Sequence, residues 1–357
     1  MKVIQVIPNF GIAGAEIMCE NLVYSLCKLG IDVVVVSLYS QKSAITDRLE
    51  SAGVNIRYLD KKSGFDFSMI RKLKRIFKEE SPDIVHTHRY AIQYAVPAAV
   101  LAGIKGRIHT VHNVAQKELG KIKRTLACFF YRHFHVVPVA LSDLVRESVV
   151  EEYRLNRDNI PVIFNGIDMS RCAPKEDYTC DGDFKILHIG RFQSQKNHAM
   201  LISAFARFHQ YYSNSTLQLI GEGEGREDAE HLAIELGVNQ AVEFLGVQSN
   251  VYNFLHDADV FTLPSLYEGM PITLIEAMGT GLPIVATNVG GIPDMLRNGE
   301  SAVLIDINED ELVEAFLKMF NSAKLRATLG KNARDESSEF SADVMAVKYL
   351  KLYERLI

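Results

Sequence analysis

No stretch of this 357-residue chain approaches the ~20 consecutive apolar residues that a membrane span requires, so an integral membrane protein is not expected. Cysteine is scarce and scattered. Cys19, Cys27, Cys128, Cys172 and Cys180 are odd in number and show no CxxC spacing. That argues against a disulfide framework or a zinc site and for reduced thiols in a cytosolic protein. A secretory leader is not expected either, because Pro8 interrupts the short apolar run that starts at Val3 and only one lysine precedes it. Excess charge is also missing. Lys and Arg number 39 against 44 Asp and Glu, a formal net charge of −5. No global positive field invites nucleic acid, and none is expected as a partner.

Apolar residues make up 48% of the chain, enough to fill two cores, and the length itself favours two domains. Lys2 to Ile7 is a β-rich run, Gly11 and Gly14 punctuate a loop, and Ile17 to Leu29 carries apolar residues at helical spacing. Val33 to Leu38 is a continuous apolar run, as in a parallel strand buried on both faces. Helical patterns over 70–77 and 91–102 alternate with strands over 83–86 and 107–111. The polar stretch Ala173 to Asp183 reads as a linker. Beyond it the plan restarts, with strands over 184–189, 217–220, 242–245, 260–263, 284–286 and 302–305. The expected fold is therefore α/β: two facing Rossmann-like domains with parallel sheets and a cleft between their strand ends. The domains are expected over 1–168 and 169–340, with a last helix over about 341–357 packing back on the first.

Two segments of the second half have the chemistry of an anion site. Gly190-Arg191-Phe192-Gln193-Ser194-Gln195-Lys196-Asn197 lies between a strand and a helix. Two cations beside helix-end N–H groups can hold two phosphates without a metal. By spacing alone, both are equally readable as solvated loop charges. Glu268-Gly269-Met270-Pro271 leads into a second helix, with Pro271 at its first position and Gly269 permitting close backbone approach. Glu276 follows about 7.5 Å further along. That is the reach from a nucleotide's phosphates to its ribose, whose hydroxyls a carboxylate can accept.

The Glu268/Glu276 pair lies within SLYEGMPITLIEAMGTGLPIVATNVGG. Together with GRFQSQKNH at 190–198, NGID at 165–168 and AGAE at 13–16, this sequence resembles glycosyltransferase family 4, a retaining group with the GT-B fold. The motifs stand in the family's order along nearly the whole chain. The resemblance implies that Arg191 and Lys196 bind a donor diphosphate and that Glu276 holds the ribose. Glu268 would contact the donor sugar, with the backbone N–H groups of Gly269 and Met270. Gly14 would let the first-domain loop approach the phosphates, although the family's adjacent glycines are here Ala13-Gly14. Glu16 reads as a helix-start residue. His112 matches a family histidine near the reacting carbon, where a neutral imidazole or its carbonyl can face developing positive charge. His109 reads as structural. His86, His88 and Arg89 are candidates for the acceptor side. Gly221, Gly246 and Val247 are expected around the base, where backbone groups can read a uracil or guanine edge.

The implied reaction is transfer of a hexose or N-acetylhexosamine, with retention, from a nucleotide diphosphate sugar to a glycan or lipid-linked acceptor in bacterial surface-polysaccharide assembly. A UDP-sugar is favoured over a GDP-sugar. No cofactor and no metal are expected, since Asp181-Gly182-Asp183 and Asp257-Ala258-Asp259 fall in the linker and at a strand edge. The basic, aromatic helix over 117–135 suits an anionic membrane surface, which would make the protein peripheral on the cytoplasmic face. The alternative is a nucleotide-sugar-binding or epimerase-type Rossmann protein. The Gly221 run, however, is G-x-G-x-G and enters an acidic segment rather than opening a GxGxxG turn.

Overall fold

The computed structural model describes residues 1–11, 13–180 and 182–357. The chain divides into two compact units, residues 1–167 with 340–357, and residues 168–339.

In the first unit, strands β1 (Lys2–Ile7), β2 (Asp32–Ser37) and β3 (Asn55–Tyr58) alternate with helices α1 (Gly14–Lys28), α2 (Ala44–Ser51) and α3 (Ser68–Glu80). Strands β4 (Ile84–His88), β5 (Gly106–Val111) and β6 (Val137–Ala140) follow, with helices α4 (Ile92–Ala102), α5 (Ala115–Glu118), α6 (Lys121–His133) and α7 (Asp143–Tyr153). All six strands are parallel, in the order β3-β2-β1-β4-β5-β6. Val33 to Val36 are buried, as a strand covered by helices on both faces requires.

The second unit repeats this plan with β7 (Phe184–Ile189), α8 (His198–Tyr211), β8 (Ser215–Ile220), α9 (Arg226–Glu235), β9 (Val242–Gly246) and α10 (Tyr252–Asp257). It continues with β10 (Val260–Leu263), α11 (Ile272–Thr280), β11 (Ile284–Thr287), β12 (Val303–Ile305), α12 (Glu309–Asn321) and α13 (Ala323–Ser337). Its parallel sheet runs β12-β11-β10-β7-β8-β9. Counted from each unit's own first strand, both sheets have the order 3-2-1-4-5-6. The direction of winding reverses between strands one and four, and ligands of such sheets bind at the carboxyl ends there. The relevant points are β1/β4 in the first unit and β7/β10 in the second.

The last helix, α14 (Ala342–Glu354), belongs to the first unit, where it packs on α1. Backbone fastens it: Ile167 N–H donates to Phe340 at 3.0 Å and Ala342 N–H to Ile167 at 2.8 Å. A methyl on Gly166 would collide with the Ser341 and Ala342 backbone. The glycine of the NGID motif is thus required by close approach.

Several expectations are corrected. Gly14 is the first residue of α1 rather than a loop residue, with Ala13 as its N-cap. Pro271 occupies the N-cap of α11, one position earlier than expected. The stretch 173–180 is not a free linker. The Tyr178 hydroxyl donates to Gly281 at 2.9 Å, and buried Arg326 donates to the Tyr178 carbonyl at 2.6 Å. The 117–135 segment is two helices, because Leu119 is extended between them. Of the two Asp-x-Asp matches, Asp181 lies outside the described residues. Asp259 accepts from the Lys185 backbone at 2.9 Å and so ties strand ends together.

Candidate active site

The loops that leave β7 and β10 meet beside the second unit's reversal point, and that juxtaposition brings Lys196 and Glu268 of the predicted site together. Lys196 donates to Glu268 Oε1 at 2.6 Å, 72 residues away in sequence. Ser265 donates to the same oxygen at 2.6 Å, and Gln195 approaches Oε2 at 3.4 Å. Glu268 is buried, so the lysine supplies the counter-charge its carboxylate needs. An ammonium carries three donors. Lys196 can keep Glu268 and still offer N–H groups to a phosphate.

Backbone locks the two loops. Leu266 N–H donates to the Gln195 carbonyl at 2.8 Å, and the Gln195 amide donates to Tyr267 at 2.9 Å. Gly290, at φ +62, lies so close that an added methyl would collide with the Glu268 carbonyl. Gly269, Met270 and Pro271 are all buried ahead of α11, whose positive dipole end faces this corner. Arg191 is exposed, and among the described residues it forms no ion pair with a carboxylate.

Glu276 has partners other than those of Glu268. The Tyr252 hydroxyl donates to its Oε1 at 3.1 Å, and Arg171 lies 4.6 Å above the Tyr252 ring. Burial pushes the Glu276 carboxyl up to about 7, against the opposing pull of Tyr252 and Arg171. Near neutral pH it is poised between acid and carboxylate.

Gly221 has a packing role. At φ +145, it is where a methyl would strike the Gly190 carbonyl, and its N–H donates to Gly246 at 2.9 Å. Gly223 is pressed in the same way onto Phe192. The glycines therefore bring the 221–225 and 190–192 loops into backbone contact. Gly246 also takes positive φ, at +64, and Val247 is exposed.

In the first unit the reversal point holds a comparable ion pair. Glu16, on α1, is buried and accepts from Arg89 at 2.6 Å. Arg89, the residue after β4, takes the left-handed region at φ +52, a costly conformation for a non-glycine residue. Glu16 is thus a buried structural acid, not merely a helix-start charge. Half-buried His112 follows β5 and lies 3.0 Å, Nε2 to Nδ1, from His88. Burial and the neighbouring His88 hold His112 well below the usual histidine range. His109 is fully buried against Thr87 at 2.9 Å, as a structural histidine.

Sequence reasoning missed Ser265, Gln195, Tyr252 and Gly290. Only Ser265, three residues before Glu268, carried a local signal. Among the described residues no group of three or more His, Cys, Asp or Glu side chains could hold a metal ion. No described helix is long and apolar enough to cross a membrane.

Two Rossmann-like units with this strand order have the GT-B fold. The chain belongs to the family 4, group 1 glycosyltransferases: the model "Glycosyltransferase Family 4" matches residues 12–171, and "Glycosyl transferases group 1" matches residues 175–336. It is an enzyme of the transferase class, which sets aside the binding-protein and epimerase readings. Among its relatives is an Escherichia coli UDP-Gal:alpha-D-GlcNAc-diphosphoundecaprenol alpha-1,3-galactosyltransferase, 28% identical over 76% of this chain and 74% of the relative. Another is the N-acetyl-alpha-D-glucosaminyl L-malate synthase of Bacillus anthracis, 27% identical over 81% of this chain and 79% of that protein. Anabaena HepE, solved with UDP and glucose, shares the fold at a TM-score of 0.87 and 18% identity over 99% of both chains.

Proposed function

We propose that this glycosyltransferase moves a hexose or N-acetylhexosamine, with retention, from a UDP-sugar to a glycan or lipid-linked acceptor in bacterial capsule or exopolysaccharide assembly. The observation that carries this reading is the corner formed by Lys196, Glu268 and the start of α11, which has the charge and backbone N–H groups to receive a diphosphate. A lipid diphosphate acceptor and a UDP donor stand in the name of the E. coli relative, and UDP in the HepE complex. These support UDP ahead of GDP.

In the proposed mechanism the bond from the sugar's anomeric carbon to the diphosphate breaks while the acceptor oxygen bonds on the same face. The acceptor's proton passes to the leaving diphosphate oxygen. Arg191 and Lys196 stabilise the departing charge, with Gly269 and Met270 offering backbone N–H groups. Glu276 holds the ribose, Glu268 orients the sugar, and the 221 and 246–247 loops read the base. Gly14 and His112 are the first unit's proposed contributions, His112 opposite the developing positive charge. The cations do the work a metal does elsewhere, so transfer should survive EDTA.

The test is transfer from a panel of UDP- and GDP-sugars to polyprenyl-diphosphate glycans, with the new linkage read by NMR. An axial donor should give an axial product. An inverted product, or a GDP-only donor range, would contradict the proposal.

The cytoplasmic, peripheral location is proposed from α6. Ile122 and Phe129 are exposed there beside Lys121, Lys123 and Arg124, while Ala127, Phe130 and Tyr131 face the core. The protein should float with anionic vesicles, and Ile122→Asp with Phe129→Asp should abolish flotation. Unchanged flotation of that double variant would remove the helix from the account.

A further inference from the structure

The side chains around His112 form a continuous buried chain that reaches the C-terminal helix. Tyr353 OH lies 2.8 Å from His86 Nδ1 and accepts from Gln5 Nε2 at 3.3 Å. The other end of the Gln5 amide, Oε1, lies 2.9 Å from His88 Nε2, and His88 Nδ1 lies 3.0 Å from His112 Nε2. A side branch runs from His86 Nε2 to Thr110 at 2.7 Å, and from Thr110 to Tyr349 OH at 2.7 Å. Gln5, His86, His88, Thr110, Tyr349 and Tyr353 are all fully buried. With no water to substitute, every donor must find an acceptor inside this set.

With that requirement, the orientation of the Gln5 amide gives the chain a direction. The Gln5 amide nitrogen donates to Tyr353, so its oxygen accepts and His88 must carry its proton on Nε2. His88 Nδ1 is then an acceptor, and His112 must donate to it from Nε2. A neutral imidazole holds one such proton. His112 therefore presents a bare Nδ1. Tyr353, having accepted from Gln5, sends its own proton to His86, whose Nε2 proton goes to Thr110. Rotating the Gln5 amide would reverse the bonds and leave the His112 proton on Nδ1. Burial keeps the three imidazoles neutral near pH 7, with His88 lowered to about 3 and His86 and His112 also well below the ordinary range.

We infer that Tyr353 and Gln5 are positioning residues: through His88 they fix which ring nitrogen of His112 carries the proton, so that the C-terminal helix orients the electrostatics of the reaction site. The consequence for catalysis rests on the reading that His112 serves the transfer. A bare nitrogen is an electron-rich atom, suited to face a sugar carbon gaining positive charge.

The test uses the full chain labelled with ¹⁵N-histidine, with His112→Gln assigning the signal. Long-range ¹H–¹⁵N correlation distinguishes a protonated from a bare ring nitrogen. The wild type should show His112 protonated on Nε2. Gln5→Met, which breaks the chain at its turning point, should give a mixture of tautomers. It should also lower kcat about tenfold with donor KM little changed, the effect of one lost buried hydrogen bond. If circular dichroism shows that Gln5→Met does not fold, Tyr353→Phe removes only the hydroxyl, frees the Gln5 amide to rotate and should give the same mixture. A wild-type proton on Nδ1, or an unchanged His112 spectrum in the folded variant, would overturn the inference. A mixed tautomer with unchanged kcat would uphold the relay and remove His112 from the reaction instead.

Discussion

Arg191 and Lys196 look equivalent in the sequence, two cations of one loop, yet they stand in different surroundings. Arg191 is exposed, whereas Lys196 is ion-paired to buried Glu268. Arg191→Ala should cut transfer by roughly 100-fold, about 3 kcal/mol of transition-state stabilisation, and leave thermal unfolding unchanged. Lys196→Ala should lose as much activity and also about 1–3 kcal/mol of stability, because it strands a buried carboxylate. Adding Glu268→Gln should restore the stability but not the rate. Paired kinetics and urea unfolding separate these outcomes, and equal stabilities for the two alanine variants would contradict the buried pair. Glu276 makes a pH prediction. Its folded pKa is raised to about 7 by burial. The protonated form is therefore favoured in the fold, and the stability it contributes is complete below the unfolded value of ~4.3 and lost as pH rises through about 7. Glu276→Gln should match the wild type at pH 4 and unfold at higher urea at pH 8. With the carboxylate in its proposed role on the ribose, UDP binding should tighten over the same interval. An affinity flat from pH 6 to 8 would contradict that role.

The second unit's elements explain why those residues could be read in advance and their partners could not. Strand–loop–helix punctuation is local. The strand pattern of β7, the helical spacing of α8 and the turn residues before α11 placed Arg191, Lys196 and Glu268 in loops at strand ends and Glu276 on the helix that follows. The meeting of the β7 and β10 loops depends instead on β10 lying beside β7, a pairing between segments some 70 residues apart that no periodicity records. Gln195 matters because of that neighbour relation, and Gly290 because β11 lies on the other side of β10. Glycines mislead for a related reason. Gly221 follows a strand and so suits a base pocket, yet its immediate task is to let one backbone approach another. Short elements were also lost. β3 and α2 carry too few apolar residues for a period to emerge.

Across the whole molecule, the sequence made the repeat visible, since the strand–helix alternation stops at the polar 173–183 stretch and begins again. Identical strand orders in the two units are consistent with that reading. The helical spacing of residues 344–357 identified a last helix. That Tyr353 on it reaches His86 and Gln5 could not be read, because contacts spanning more than 250 residues leave no local trace. Loop 190–197 and the segment 266–280 are proposed to bind one diphosphate together. Hydrogen–deuterium exchange of the full chain with and without UDP tests it directly. Exchange should slow in both segments together at saturating UDP. Protection absent from both, while UDP protects another part of the chain, would contradict it.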